Sequence, residues 1–130
     1  MFQPDGRIQL PKDLREEVRH KFGGNCAYCG VILGKSFHAD HVIPWAAGGP
    51  DDIMNLFPAC RHCNILKNRM DLLQFRKCIE DYHLKSGVII SERFGILKVI
   101  APVNIQFYFE KVGYEFPYDL VKAMMNDTKR

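Results

Sequence analysis

A chain of 130 residues with 47% hydrophobic side chains has room for one core and not two, and a core this small gains from a metal staple. The formal net charge of +3 is too slight to identify a nucleic-acid partner by itself. No apolar run approaches the roughly 20 residues of a membrane helix, and the opening MFQPDGRIQLPKDLREE carries no signal-peptide stretch. The expectation is a soluble, intracellular, cytoplasmic protein with no membrane partner, in a compartment where paired cysteines point to metal before disulfide.

In chain order, PKDLREEVRHKF places Leu14, Val18 and Phe22 at helical spacing between Pro11 and the Gly23-Gly24 stop. NCAYCG then reads as a tight metal-binding turn. Lys35 to Val42 reads as a strand, PWAAGGPDD as a loop and NLFP as a short extended piece. A helix is predicted from near Arg61, continuing or restarting after Met70. There Leu72, Phe75, Ile79 and Tyr82 form a second apolar stripe that ends near Ser86-Gly87. In the tail, ILKVI and NIQFYFEKV have strand composition and PYDLVKAMMND reads as a closing helix. The tail shows no chemistry. It is expected to cover the core, the alternative being a dimer or DNA contact.

Cys26-x-x-Cys29 and Cys60-x-x-Cys63 are separated by 30 residues. Each turn aims two thiolates at one point, and two turns complete a tetrahedron. Four protein ligands make a closed, structural Zn²⁺ site. A redox dithiol would need only one such turn in a different context. Cys78 falls in the later helical pattern and is expected to be a buried apolar residue. The zinc would hold Asp40 and His41 against Asn64, the residue after Cys63.

Asp40-His41, Asn55 and Asn64 follow in order, with 14 positions from His41 to Asn55 and 9 from Asn55 to Asn64. With DHVIP, the Gly-Gly loop, NL and CRHCNILK interleaved between the cysteine pairs, the stretch from Phe22 to Lys67 resembles the HNH endonuclease family. It is an H-N-N variant, since Asn64 stands where many members have His. The resemblance implies an α+β fold with a zinc-stapled ββα-metal core of about residues 22–69. An N-terminal helix and a C-terminal α/β extension of about 88–130 complete one nuclease domain over 1–130. It implies a single catalytic metal on Asp40 and Asn64, and a loop-holding role for Asn55 that positions the His. A simple turn residue is the other reading of Asn55. Family members serve phage packaging, mobile elements, restriction and defence.

The residue types support that chemistry independently. Cleaving a phosphodiester at neutral pH needs a nucleophile, charge neutralisation on the phosphate and help for the leaving oxygen; a divalent ion supplies the last two. A carboxylate and an amide with open positions suit Mg²⁺ or Mn²⁺. His41 is the candidate general base, because an imidazole titrates near neutrality. Adjacent strand residues point to opposite faces, however, so Asp40 and His41 can share a site only at a twisted strand end or by approaching from two sides. Lys67 and Arg61 are candidate nucleic-acid contacts. His38 is a third candidate contact if it lines the cleft; otherwise it packs or faces solvent. Lys35, His62, Arg69, Arg76 and Lys77 are each either part of a basic footprint or simply solvated. His20 and His83 carry no signal, and Trp45 is expected to pack over the zinc lobe, the alternative being a DNA contact. The expected partner is DNA, with a homodimer or a nuclease-complex partner open. The competing reading is a non-catalytic zinc-stapled module that binds nucleic acid or protein.

Overall fold

The computed structural model describes residues 10–86, 88–91, 95–98 and 105–125, with backbone only over 83–98. Predictions for residues 1–9, 99–104 and 126–130, and for the side chain of His83, lie outside the described residues. The first helix, α1, spans Lys12–His20. Pro11 stands at its N-cap, Asp13 in the first turn and Arg19 and His20 in the last, so the charges complement the helix dipole. Gly23 and Gly24 follow with φ of 67° and 85°, a left-handed pair that ends the helix. Val18 and Phe22 are buried and Leu14 packs beside them, as the apolar spacing predicts.

Residues 25–32 form a knuckle closed by an isolated antiparallel bridge between Asn25 and Ile32. Two short strands follow, β1 (His38–His41) and β2 (Leu56–Ala59), paired antiparallel with Asp40 opposite Phe57 and His41 opposite Leu56. The predicted strand from Lys35 is trimmed at its start by a turn at Lys35-Ser36. Between the strands lie two 3₁₀ turns, Trp45–Ala47 and Ile53–Asn55. Helix α2 (Arg61–Lys67) packs against both strands, and helix α3 (Leu72–Ser86) restarts after a break at Asn68–Met70. A second two-stranded sheet pairs β3 (Val88–Ser91) with β4 (Gly95–Lys98), and short helices α4 (Tyr108–Lys111) and α5 (Tyr118–Met125) close the chain.

The buried cluster draws on α1, the knuckle, the residues flanking β1, strand β2, α3 and residues 105–121. Phe57 on β2 sits among Phe22, Phe109 and Phe116, with ring centroids at 5.2, 4.9 and 5.8 Å. Lys21 clamps the second 3₁₀ turn by donating to the carbonyls of Ile53 and Leu56, and burial lowers its pKa to about 8. Among the described residues no helix is long and apolar enough to cross a membrane.

Three expectations fail for identifiable reasons. In NIQFYFEKV the described residues, 105–112, do not form a strand. Phe107 is extended, and α4 begins at Tyr108 because the Glu110 carboxylate accepts from the Phe107 amide at 2.9 Å. The amides of Tyr108 and Phe109 donate to the carbonyls of Tyr28 and Ala27, so this helix start is tied to the knuckle. Cys78 is exposed and not buried. It lies one position, about 100° of turn, from the Leu72–Phe75–Ile79 face that meets the core. Tyr82, placed on that face by spacing, is 63% exposed, so the stripe leaves the core after Ile79.

Candidate metal and catalytic site

The four cysteines converge: their sulfur atoms all lie within 4.8 Å of one another. Cys26 and Cys29 come from the knuckle, while Cys60 caps the start of α2 and Cys63 lies in its first turn. Cys29 Sγ and Cys60 Sγ are 3.8 Å apart. A tetrahedron with Zn–S bonds of about 2.3 Å has edges of about 3.8 Å. Backbone amides face the sulfurs, with Cys60 N 3.4 Å from Cys26 Sγ and Cys63 N 3.4 Å from Cys60 Sγ. By themselves the sulfurs share charge unevenly. Hydrogen bonds from the Cys29 and Cys63 thiols pull Cys26 down to about 2, and the same bonds push Cys29 up to about 12 and raise Cys63. A quartet carrying four thiolates therefore requires a cation, and both donor type and spacing fit zinc.

The strand β1 places Asp40 and His41 side by side in sequence and directs them to different elements. Both are buried, at 5% and 7% exposure. Asp40 Oδ2 accepts from the Tyr28 hydroxyl at 2.5 Å and lies 3.1 Å from Lys67 Nζ, whose distance to Oδ1 is 3.4 Å. Lys67 also donates to the His41 carbonyl at 3.0 Å. Burial pushes the Asp40 carboxyl above its ordinary value, with Lys67 pulling the other way. Burial and the adjacent Asp40 raise the Tyr28 hydroxyl. His41 instead faces the loop after β1, where its Nε2 is 2.5 Å from Asp51 Oδ1.

That loop is held by Asn55, which is fully buried. Its Oδ1 accepts from the Ile43 amide at 2.9 Å, and its Nδ2 donates to the carbonyls of Ile43 and Pro50 at 3.1 and 3.0 Å. One side chain thus ties both sides of the Gly-rich turn. Gly49 lies in the narrowest part, where an added Cβ would fall 1.8 Å from the Ile43 carbonyl oxygen. Asn64 is half-buried in α2, one residue after the last zinc cysteine. Asp40 and Asn64, expected to share a divalent ion, are a carboxylate on β1 and an amide on α2.

Lys67, expected to reach phosphate, is fully buried, and its ammonium is committed to Asp40 and the His41 carbonyl. Its position three residues after Asn64 turns it inward. Arg76, counted in a basic footprint, instead pairs with Glu110 at 2.7 Å and donates to the Ile105 carbonyl. Lys77 is exposed and lies 3.4 Å from Asp81. Arg61, His62, Arg69 and Lys35 are exposed, and Trp45 is half-buried in the first 3₁₀ turn. His38 is half-buried at the start of β1. Burial lowers its pKa, and the neighbouring guanidinium groups of Arg15 and Arg61 add to the effect. His20 is a surface residue 3.5 Å from Glu16.

Tyr28 and Asp51 were not singled out from the sequence. Tyr28 sits between two zinc cysteines in a turn whose aromatic gives no hint of its partner. Asp51 is one of two adjacent aspartates, of which Asp52 caps the second 3₁₀ turn by accepting from Met54 N at 2.9 Å. Spacing alone cannot say which aspartate caps and which faces His41.

An antiparallel ββ pair followed by a helix and closed by four cysteines defines a zinc-stapled ββα scaffold. Residues 26–69, about a third of the chain, match the family model described as HNH endonuclease, and this segment carries the H-N-N form of that motif. No curated protein matches the chain.

Proposed function

We propose that the chain is a metal-dependent endonuclease that hydrolyses phosphodiester bonds in DNA. The observation that carries this reading is the ββα core itself: the zinc staple, His41 and Asp40 on β1, and Asn64 on α2, within a segment that matches the HNH family model. Mg²⁺ or Mn²⁺, held by Asp40 and Asn64, would neutralise charge on the phosphate and the departing oxygen. His41 takes a proton from the attacking water as its oxygen bonds to phosphorus, and the P–O3′ bond breaks. Asn55 keeps the loop beside His41 closed. Lys67 balances the Asp40 charge inside the protein. His38 at the start of β1 and Arg61 at the start of α2 lie close enough for the Arg61 charge to act on the imidazole and would offer a phosphate backbone a basic contact. A second copy or a partner protein would supply further target contacts.

One observation favours a second reading. Asp40 already has Lys67 and Tyr28 on its carboxylate, as expected of a zinc-stapled binding module whose former metal ligand is internally neutralised. Plasmid cleavage by zinc-loaded protein with Mg²⁺, Mn²⁺ or neither, beside His41→Ala, decides between them. Metal-dependent nicking or cutting that is lost in His41→Ala supports the nuclease. A folded, zinc-bound protein that binds DNA in a salt-dependent way and never cuts supports the module.

A further inference from the structure

We propose that Asp51 is the positioning residue of His41: its carboxylate accepts a hydrogen bond from the imidazole Nε2–H and so orients Nδ1 toward the attacking water. The proposal deepens the nuclease reading above and rests on it for the role of His41. Three observations carry it.

The first is the contact itself. His41 Nε2 and Asp51 Oδ1 are 2.5 Å apart, joining residues ten positions apart across the loop. A carboxylate can only accept, so a neutral imidazole in this pair must donate from Nε2, which leaves Nδ1 as its proton-accepting nitrogen.

The second is how firmly Asp51 is placed. The residue before it, Pro50, is fixed through its carbonyl by Asn55 Nδ2 at 3.0 Å. The residue after it, Asp52, is fixed by capping Met54 N at 2.9 Å. Gly49 allows the loop to pass so close to Ile43 that no side chain fits there. The backbone is therefore pinned on both sides of Asp51, and the Asn55 hydrogen bonds serve to deliver a carboxylate to the imidazole as well as to close a loop.

The third is burial. Asp51 is 38% exposed while His41 is 7% exposed, so the carboxylate reaches inward from the rim to a ring held inside. An exposed ion pair between two long side chains adds little order. A short contact to a buried ring fixes the ring's orientation.

In the reaction the water proton moves to Nδ1, the water oxygen bonds to phosphorus, and the P–O3′ bond breaks with its electrons on O3′. The imidazolium so formed faces the Asp51 carboxylate, which keeps its hydrogen bond and does not take the proton. Removing the hydrogen-bonded partner that orients a metal-ligating imidazole costs about 10- to 100-fold, and a loss of that order is expected for Asp51.

The test uses the full zinc-loaded chain. The first arm is ¹⁵N NMR of ring-labelled histidine, with the His41 signals assigned by their loss in His41→Ala. The wild type is expected to show the Nε2–H tautomer at His41, and Asp51→Ala a mixture. The second arm is cleavage with Mn²⁺. Asp51→Ala is expected to lower kcat about 10- to 100-fold with KM for DNA little changed, and Asp51→Asn, whose amide oxygen can still accept, to recover part of the loss. An Nδ1–H tautomer in the wild type overturns the proposal, whether or not cleavage is seen. So does Asp51→Ala cutting at the wild-type rate while His41→Ala is inactive. If His41→Ala cuts as the wild type does, the base assignment itself falls and this role of Asp51 falls with it; the Nε2–H tautomer would then survive as geometry only.

Discussion

Tyr28 donates its hydroxyl to Asp40 Oδ2 at 2.5 Å, and Tyr28 lies between Cys26 and Cys29. A side chain belonging to the zinc knuckle therefore fixes the carboxylate that the proposed catalytic metal needs. The ring is held edge-on by Phe75 and Phe107, each with centroids 5.4 Å away. The staple thus acts on the site in two ways: through the backbone, by bringing α2 to β1, and through this hydroxyl.

Tyr28→Phe separates those two effects. The ring packing and the zinc ligands remain, and Asp40 loses one donor while buried. Stability should fall by about 1–3 kcal/mol, the cost of leaving a buried acceptor short of a partner, with zinc content unchanged. Urea unfolding followed beside zinc analysis checks both halves. Loss of zinc together with loss of stability would mean that the hydroxyl also shapes the knuckle.

Zinc removal should have a much larger effect. The cysteines hold the knuckle and the first turn of α2 together, beside the hydrogen bond from the Ala27 amide to the Pro58 carbonyl that joins the knuckle to β2. Stripping the ion with a thiol-competitive chelator, or substituting Cys60→Ser, is expected to abolish the cooperative unfolding transition of the ββα segment. Circular dichroism against temperature, with and without added Zn²⁺, measures this. A cleavage assay quenched by chelator should therefore monitor the fold as well as the activity.

Gly49→Ala tests the loop. The new Cβ would lie 1.8 Å from the Ile43 carbonyl oxygen and 2.8 Å from Asn55 Nδ2, and neither group can retreat without breaking the Asn55 hydrogen bonds. The expected loss is about 3 kcal/mol, the upper end for overpacking, with cleavage reduced further as Asp51 and His41 move apart. Gly34→Ala is the control, because nothing lies within 4 Å of its added Cβ.

The sequence was legible where chemistry depends on spacing. The cysteine quartet, the ββα order and the helical starts at Lys12, Arg61 and Leu72 follow from ligand spacing and apolar periodicity. The tail was not legible, because aromatic and β-branched residues serve a buried helix start as well as a strand; one hydrogen bond from Phe107 N to Glu110 decided it. The site was half legible. Residue types named Asp40, His41, Asn55 and Asn64, but the partners of the first two lie 10 to 27 positions away in sequence, and no pattern links Tyr28, Asp51 or Lys67 to them. The concern that β1 sends Asp40 and His41 to opposite faces is reflected in the fold, where one meets Lys67 and Tyr28 and the other meets Asp51.

Lys67 gives the sharpest electrostatic prediction. Its ammonium is fully buried 3.1 Å from Asp40 Oδ2. Lys67→Met keeps the volume of the stem and strands the carboxylate, which should cost about 3–5 kcal/mol at neutral pH. The sign of the pH dependence follows from Asp40. Burial raises its folded pKa above the ordinary 3.8, so the folded state binds this proton more readily than the unfolded chain. The associated stability is fully present below the unfolded pKa and is lost as pH rises through the folded one. Without Lys67 the folded pKa should climb further, so the penalty of the variant should shrink as pH falls into that window. The double variant Lys67→Met/Asp40→Asn removes both charges and should recover most of the loss, as urea unfolding of the four proteins across pH would show. Recovery in the double variant, with cleavage absent from every variant that lacks Asp40, would assign Lys67 to the stability of the site and Asp40 to its chemistry. A single Lys67→Met variant as stable as the wild type would show instead that the Asp40 carboxylate has another counter-charge.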